Sequence, residues 1–381
     1  MTSISNKNEI RSHTALRGMA ALIVVLVHFR SFFHPSIDPD EITSFLAKGY
    51  LWVDFFFILS GFVLSYVYGI EHPERRTVRD VIHYLIARFS RIYPLHLVSL
   101  ATVFLFFFMV SLISWSRSDT FCCLFDGSLR SAESLLANLL LIHAWGMFDW
   151  VTWNLPSWSL SAEFFCYLIF AALLTMDGST RKIALTGLLC IMLFYYGFYL
   201  GISGDVDEDF RLSVIRAASA FSIGIVLFLS RQIISALSER CLTFIQITAS
   251  IALLLALHFG LADVISISLM ALIVLVTWED RGSLCNWLAT RYLHTIGLFS
   301  YSIYMWHYLI KFIAQQDWED YTGLPLQSSI LGSLIFVACM VSLVIPISIW
   351  SYRSLEMPAR KWVSFRLTCL FETKYALTRP C

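Results

Sequence analysis

The chain is 381 residues long, with 58% hydrophobic side chains, 15% aromatic and 14% charged. That is too apolar for one soluble core and too poor in charge to stay dissolved, which excludes a soluble globular protein and leaves a polytopic helical membrane protein. Lys plus Arg and Asp plus Glu balance at 27 each, and their spread along the chain argues against a nucleic-acid footprint, so the lipid bilayer is an expected partner and nucleic acid is not.

In chain order, residues 1–10 show no cleavable signal pattern, and the first span is expected to direct insertion itself. A helix needs about 20 mostly apolar residues to cross the hydrocarbon core. Ten stretches meet that need, near 18–35, 48–69, 93–115, 157–176, 183–203, 213–230, 241–260, 262–278, 297–315 and 328–350. The first carries Arg17 and, eleven residues on, His28; the second carries Asp54, with Gly61 and Ser65 on the same face. Ahead of the third, Arg88-Phe-Ser-Arg91-Ile-Tyr-Pro sets two guanidiniums at i, i+3, with Pro94 read as the start of the span. The stretch 134–152 is weaker, since it contains Asn138, His143 and Asp149 and runs into Trp150, Trp153 and Pro156. The fourth span puts Ser159, Glu163 and Tyr167 on one stripe, and the ninth puts Ser300, Tyr304, His307 and Lys311 down one face. The residues after Pro358 read as a short basic tail.

Charge decides the topology. If 134–152 does not cross, the basic residues of the N-terminus, of the loops holding Arg75 to Arg91, Arg181, Arg231, Arg240, Arg281 and Arg291, and of the tail share one side. The acidic loops, Asp38/Asp40/Glu41, Asp205/Asp207/Glu208/Asp209 and Asp317/Glu319/Asp320, then share the other. By the positive-inside rule both termini are cytoplasmic, and 134–152 is re-entrant or interfacial, because a crossing there would invert every later loop. The expected architecture is therefore an all-α membrane bundle of about ten transmembrane helices. Residues 1–365 form one membrane domain and 366–381 a short cytoplasmic tail. The nine cysteines lack paired metal-ligand spacing, and the adjacent Cys122 and Cys123 suggest no disulfide framework, so neither a metal site nor a disulfide is expected.

Ionisable groups inside a span are expensive and usually face the protein interior, which makes each a site candidate. Arg17 and His28 are about three helical turns and about 16 Å apart on one face. Asp54 lies at a matching depth in the antiparallel second span, so His28 and Asp54 are expected to meet, either as a reactive pair or as a polar tie between helices. Glu163 must be neutral or paired in a low dielectric, whereas Trp150 and Trp153 read as an interfacial belt. His307 suits proton handling or substrate binding, or else packing. Arg88 and Arg91 read as a phosphate clamp or as anchors on lipid headgroups, and this feature alone favours anchors.

Together these segments resemble acyltransferase family 3, polytopic membrane acyltransferases that modify carbohydrates and other extracytoplasmic acceptors. The resemblance rests on Leu16-Arg17-Gly18 through His28, Asp54-Phe-Phe-Phe-Ile-Leu-Ser60-Gly61, Arg88 to Pro94, Trp158-Ser-Leu-Ser-Ala-Glu163 with Tyr167, Ser300-Tyr-Ser-Ile-Tyr304-Met-Trp306-His307, and Glu356-Met-Pro358. It covers nearly the whole chain in order. It implies an O-acyltransferase that moves an acetyl or other acyl group from cytoplasmic acyl-CoA, typically acetyl-CoA, to a hydroxyl of an extracytoplasmic or membrane-linked glycan. Acyl-CoA is then a donor substrate rather than a resident cofactor, the acceptor is a carbohydrate, glycan-synthesis machinery is a partner, and the setting is a bacterial inner membrane. The resemblance maps catalytic roles onto His28 and Asp54 and CoA contacts onto Arg17, Arg88 and Arg91, with Ser159, Glu163, Tyr304 and His307 as substrate-side candidates. Ala87 departs from the pattern, since many members carry a further arginine there, and the esterase-like domain that some members append is not seen.

The rise from Arg17 to His28 is comparable to the reach of a pantetheine arm. His28 is therefore expected to act as general base on the acceptor hydroxyl, with Asp54 fixing its tautomer. An acyl-histidine intermediate is the competing route. The rival class is a transporter or flippase that uses the buried His/Asp/Glu set as a proton relay; dependence on acyl-CoA separates the two.

Overall fold

The computed structural model describes residues 9–33, 36, 39–118, 124, 125, 127, 129–202, 210–322 and 329–377. Expectations placed on Asp38, Cys122, Cys123 and the acidic residues of 205–209 lie outside these, as do those on the side chains of Asp317, Glu319 and Asp320. The regular elements described are all helical: α1 (Arg11–Phe29), α2 (Leu51–Tyr68), α3 (Val78–Ser118), α4 (Ala132–Leu139), α5 (Ser157–Thr175), α6 (Gly178–Ile202), α7 (Ser213–Ser230), α8 (Glu239–His258), α9 (Asp263–Val276), α10 (Arg291–Thr322), α11 (Ile330–Ser351) and α12 (Met357–Leu377), with short helical turns in the connections. The all-α membrane bundle expected from composition is what the chain forms. Among the described residues, seven helical segments are long and apolar enough to cross a membrane, built on α1, α2, α3, α5, α7, α8 and α11. The other three expected spans fall on α6, on the 14-residue α9 and on α10, whose apolar run is broken by polar side chains.

Two glycine crossings set the geometry of the bundle. A Cβ on Gly297 of α10 would lie 2.0 Å from the Thr14 carbonyl oxygen of α1, and one on Gly18 would lie 2.6 Å from the Gly297 nitrogen. A Cβ on Gly61 of α2 would lie 2.0 Å from the Phe221 oxygen of α7, and one on Gly224 would lie 2.1 Å from the Ile58 oxygen. Only hydrogen side chains allow backbones this close, which is how small residues hold membrane helices together.

The contacts also give helix directions. Gly18 meets Gly297 and His28 meets His307, so α1 and α10 run parallel. Asp54 meets Arg216 and Gly61 meets Gly224, so α2 and α7 are parallel too. On α5, Trp158 meets Phe57 and Glu163 meets Ser60, which makes α5 parallel to α2. Tyr84 of α3 packs on Phe170 of α5, whereas Ser99 meets Asn154 just before it, so those two are antiparallel. An antiparallel α3 and α5 need a connection that returns to the end it left. The segment 132–156 does this: two turns of α4 lead inward until Tyr93 of α3 donates to the Leu139 carbonyl, and Trp153 then returns to stack on Phe104. It is pinned by the Ser161 hydroxyl, which accepts from the Ala144 N–H at 3.1 Å and donates to the Leu141 carbonyl at 2.8 Å.

Two boundaries differ from the sequence reading. Pro94 lies inside the 41-residue α3 rather than at its start, because one missing N–H interrupts a single i→i−4 bond and membrane helices tolerate that. Residues 357–377, most of them in what the sequence reads as a short basic tail, are helical, since α11 continues through a π-helical turn at Tyr352–Glu356 into α12. The partners that hold α12 lie far off in sequence: Glu372 receives Arg79 Nη2 at 2.8 Å and His83 Nε2 at 2.7 Å, both from α3.

Candidate active site

The site is two cavities in series along α1, α2, α5 and α10. One, of about 120 Å³, is lined by Arg17 of α1, Ser60 of α2, Arg88 and Arg91 of α3, Glu163 and Tyr167 of α5, and Ser300 and Tyr301 of α10. The other, of about 700 Å³, is lined by His28 and Arg30, Tyr50, Trp150, Trp158, Arg216 and Lys311. Val53 and Tyr304 line both, so they form the partition. Tyr304 is held there by Ser159, whose hydroxyl lies 2.8 Å from the phenol oxygen.

The smaller cavity is arginine-rich and under-paired. The Nε atoms of Arg17 and Arg88 are buried with no hydrogen-bond partner among the described residues. Arg88 instead faces the Tyr68 ring at 5.7 Å. The Glu163 carboxylate accepts from the Ser60 hydroxyl at 2.9 Å and from the Tyr167 hydroxyl at 2.7 Å. Guanidiniums held in a protein cleft with no carboxylate in ion-pair range among the described residues are suited to an incoming phosphate. At the edge of this region Ser302 donates to Glu356 at 2.7 Å and Trp306 to Ser351 at 2.8 Å, which docks the Glu356-Met-Pro358 segment onto α10.

In the larger cavity the hydrogen bonds assign the histidine tautomers. His28 Nδ1 lies 2.9 Å from the Val24 carbonyl, and His307 Nδ1 lies 3.3 Å from the Ile303 carbonyl, each one turn back in its own helix. A carbonyl only accepts, so each Nδ1 carries the proton. His307 Nε2 is then an acceptor, 3.1 Å from His28 Nδ1, and shares the His28 proton with Val24. What remains is His28 Nε2, a lone pair with no protein partner among the described residues, on a ring that lines the cavity.

The sequence pattern of acyltransferase family 3, described as an acyltransferase domain, matches residues 11–353. The chain belongs to this family. Its relatives include the acyltransferase MdmB of Streptomyces mycarofaciens, 34% identical over 42% of this chain and 38% of its own length. Protein 2 of the picA locus in Rhizobium radiobacter is 41% identical over 24% of this chain and 42% of its own. The putative membrane-bound transacylase BcsY of Komagataeibacter xylinus is 23% identical over 79% of this chain and 73% of its own. The chain thus spans less than half the length of the first two relatives. No solved structure matches it.

Within this family frame, the structure regroups the residues singled out from sequence. Arg17, Arg88 and Arg91 do come together. Asp54 does not reach His28. Its carboxylate receives Arg216 Nη2 at 2.7 Å and Nε at 3.1 Å, and the partner of His28 is His307. Matching depth on two helices does not fix rotation about their axes, and the Gly61–Gly224 crossing turns the Asp54 face toward α7. Ser159 and Glu163 line the arginine cavity rather than the His28 cavity, Tyr304 stands between the two, and His307 sits behind His28 without lining either. Sequence reasoning missed Arg216. As the only charged residue of an otherwise apolar span, it carried a signal, since a lone intramembrane arginine requires a buried partner.

Proposed function

We propose that the protein is a membrane O-acyltransferase that moves an acetyl or other acyl group from cytoplasmic acyl-CoA to a hydroxyl of an extracytoplasmic or membrane-linked glycan, in a bacterial inner membrane. The observation that carries this reading is the series arrangement: arginines in one cavity, two of them (Arg17 and Arg88) with an Nε that has no partner among the described residues, an imidazole nitrogen without such a partner in the next, and the Tyr304 partition between them. In this reading Arg17, Arg88 and Arg91 hold the CoA phosphates, and the pantetheine arm extends past Tyr304 toward His28, a rise of about 16 Å along α1. The acceptor hydroxyl enters the larger cavity and gives its proton to His28 Nε2 as its oxygen attacks the thioester carbonyl. The carbon–sulfur bond then breaks, and the CoA thiolate leaves with the proton returned by the imidazolium. His307 and Val24 stabilise the Nδ1–H of that imidazolium and keep Nε2 aimed at the acceptor, the part that Asp54 plays in the sequence reading.

The test is transfer of labelled acetyl from acetyl-CoA into the glycan fraction of membranes carrying the protein, beside an equally expressed His28→Ala variant. Label that depends on His28 supports the reading. Equal label with and without His28 rejects His28 as the base, and none above background rejects the acetyl-CoA reading in favour of another donor or of transport.

A further inference from the structure

The larger cavity has a charge that acyl transfer to a neutral sugar does not use. Its described lining includes Arg30, Arg216 and Lys311 and no carboxylate. Arg216 is neutralised from behind by Asp54, and Arg30 is bonded to Asp40 at 3.3 Å. Lys311 differs: its ammonium lies 5.5 Å from the Tyr308 ring and has no carboxylate in ion-pair range among the described residues. It is half-buried, one helical turn beyond His307 on α10, so it shares the cavity with the nucleophile-activating histidine. A half-buried cation without a counter-ion is costly unless a ligand supplies the charge. The remaining walls, among them Trp150, Trp158 and Tyr50, offer aromatic faces with few polar groups, as small-molecule sites do.

Resting on the acyl-transfer reading above, we propose that Lys311 is the specificity determinant for an anionic acceptor. The glycan would present a carboxylate or a phosphate to the Lys311 ammonium while one of its hydroxyls meets His28 Nε2. An unpaired ammonium discriminates against a neutral acceptor chiefly by being left without a charge-assisted hydrogen bond, a difference on the order of tenfold to a hundredfold.

The experiment uses the full chain in membranes from cells that naturally carry it, with labelled acetyl-CoA as donor and His28→Ala as the background. Released and lipid-linked glycans are extracted and passed over an anion-exchange column. The expected result is that His28-dependent label is retained. A second aliquot is first treated with mild acid, which cleaves glycosyl phosphates. Label still retained after acid places the anion on the sugar as a carboxylate, and label that becomes neutral places it on the linking phosphate; both support the proposal. His28-dependent label in the neutral fraction of untreated material overturns the proposal while leaving acyl transfer standing. No His28-dependent label in any fraction removes the acyl-transfer reading and this one with it. Lys311→Met, at equal expression and with an unchanged size-exclusion profile, should lower labelling of the retained product at least tenfold, whereas Lys311→Arg stays within about threefold of the parent. Full labelling by Lys311→Met also overturns the proposal. The column result comes from the parent protein, so a neutral product overturns the proposal even if that variant fails to fold.

Discussion

Replacing Gly297 with alanine puts the α1–α10 crossing to a quantitative test. The new methyl would sit 2.0 Å from the Thr14 carbonyl oxygen, a backbone atom with no rotamer to escape into. Relief to an ordinary contact requires about 1.4 Å of separation between the helices, and closely packed interiors transmit such a shift rather than absorb it. Ten residues further along both helices, His307 Nε2 and His28 Nδ1 are 3.1 Å apart, so a movement of this size takes them out of hydrogen-bond range. A misplacement of about 1 Å in a catalytic arrangement lowers turnover on the order of a hundredfold, and that is the loss expected for Gly297→Ala. Gly18→Ala provides the gradation, because its methyl meets the Gly297 nitrogen at 2.6 Å and needs a smaller separation; its loss should be intermediate. Gly187→Ala is the control, with nothing within 4 Å of the added carbon and a helix interior that favours alanine by about 1 kcal/mol. The assay is the acetyl transfer of the proposed function, per mole of protein, with thermal inactivation in detergent run alongside. Wild-type turnover in Gly297→Ala, or a smaller loss than in Gly18→Ala, would refute the coupling between the crossing and the histidines.

The Asp54–Arg216 pair is 0% and 5% exposed, so removing one partner strands the other's charge. Asp54→Asn or Arg216→Met alone should destabilise the bundle by about 3–5 kcal/mol, and the double variant by clearly less than the sum; strictly additive losses in a thermal-stability cycle would show that the pair is not coupled. Outside the spans, Asp177 caps α6: its carboxylate accepts from the Ser179 hydroxyl at 2.5 Å and from the Ser179 and Thr180 N–H groups at 3.0 and 3.1 Å. The Ser179 hydroxyl first, and then the Thr180 contacts, hold its carboxyl well below the usual carboxylate range. The folded value is depressed, so the cap is fully effective above an unfolded value of about 3.9 and is lost as pH falls through the folded one. Amide exchange at Ser179 and Thr180 should therefore quicken in strong acid and be insensitive to it in Asp177→Asn; identical acid profiles for the two proteins would count against the cap.

Hydropathy and charge along the chain already specify the solvent, the class and most of the ingredients. A hydrocarbon core accepts only long apolar helices, so hydropathy alone gives an all-α bundle. The six ordered segments pointed to the family, and Arg17, Arg88 and Arg91 do share a cavity. The cost of an intramembrane charge marked His28, Asp54, Glu163 and His307 in advance, because each must find a partner or a role. The direction of α10 was legible too. Loop charges required 134–152 to return to its own side, and the parallel packing of α1 and α10 agrees with that.

Which residue partners which emerges from helix packing alone. Helical periodicity gives the face of a helix but not the rotation of that face about the bundle, and the glycine crossings set that rotation through contacts between residues such as Gly18 and Gly297 or Gly61 and Gly224. For that reason Asp54 turned from His28 to Arg216, His307 moved from substrate candidate to partner of His28, and Glu163 and Ser159 joined the arginine cavity. The helix of residues 357–377 was hidden for a related cause: Arg79 and His83, which hold it, lie some 290 positions away, and no local pattern records a contact at that distance.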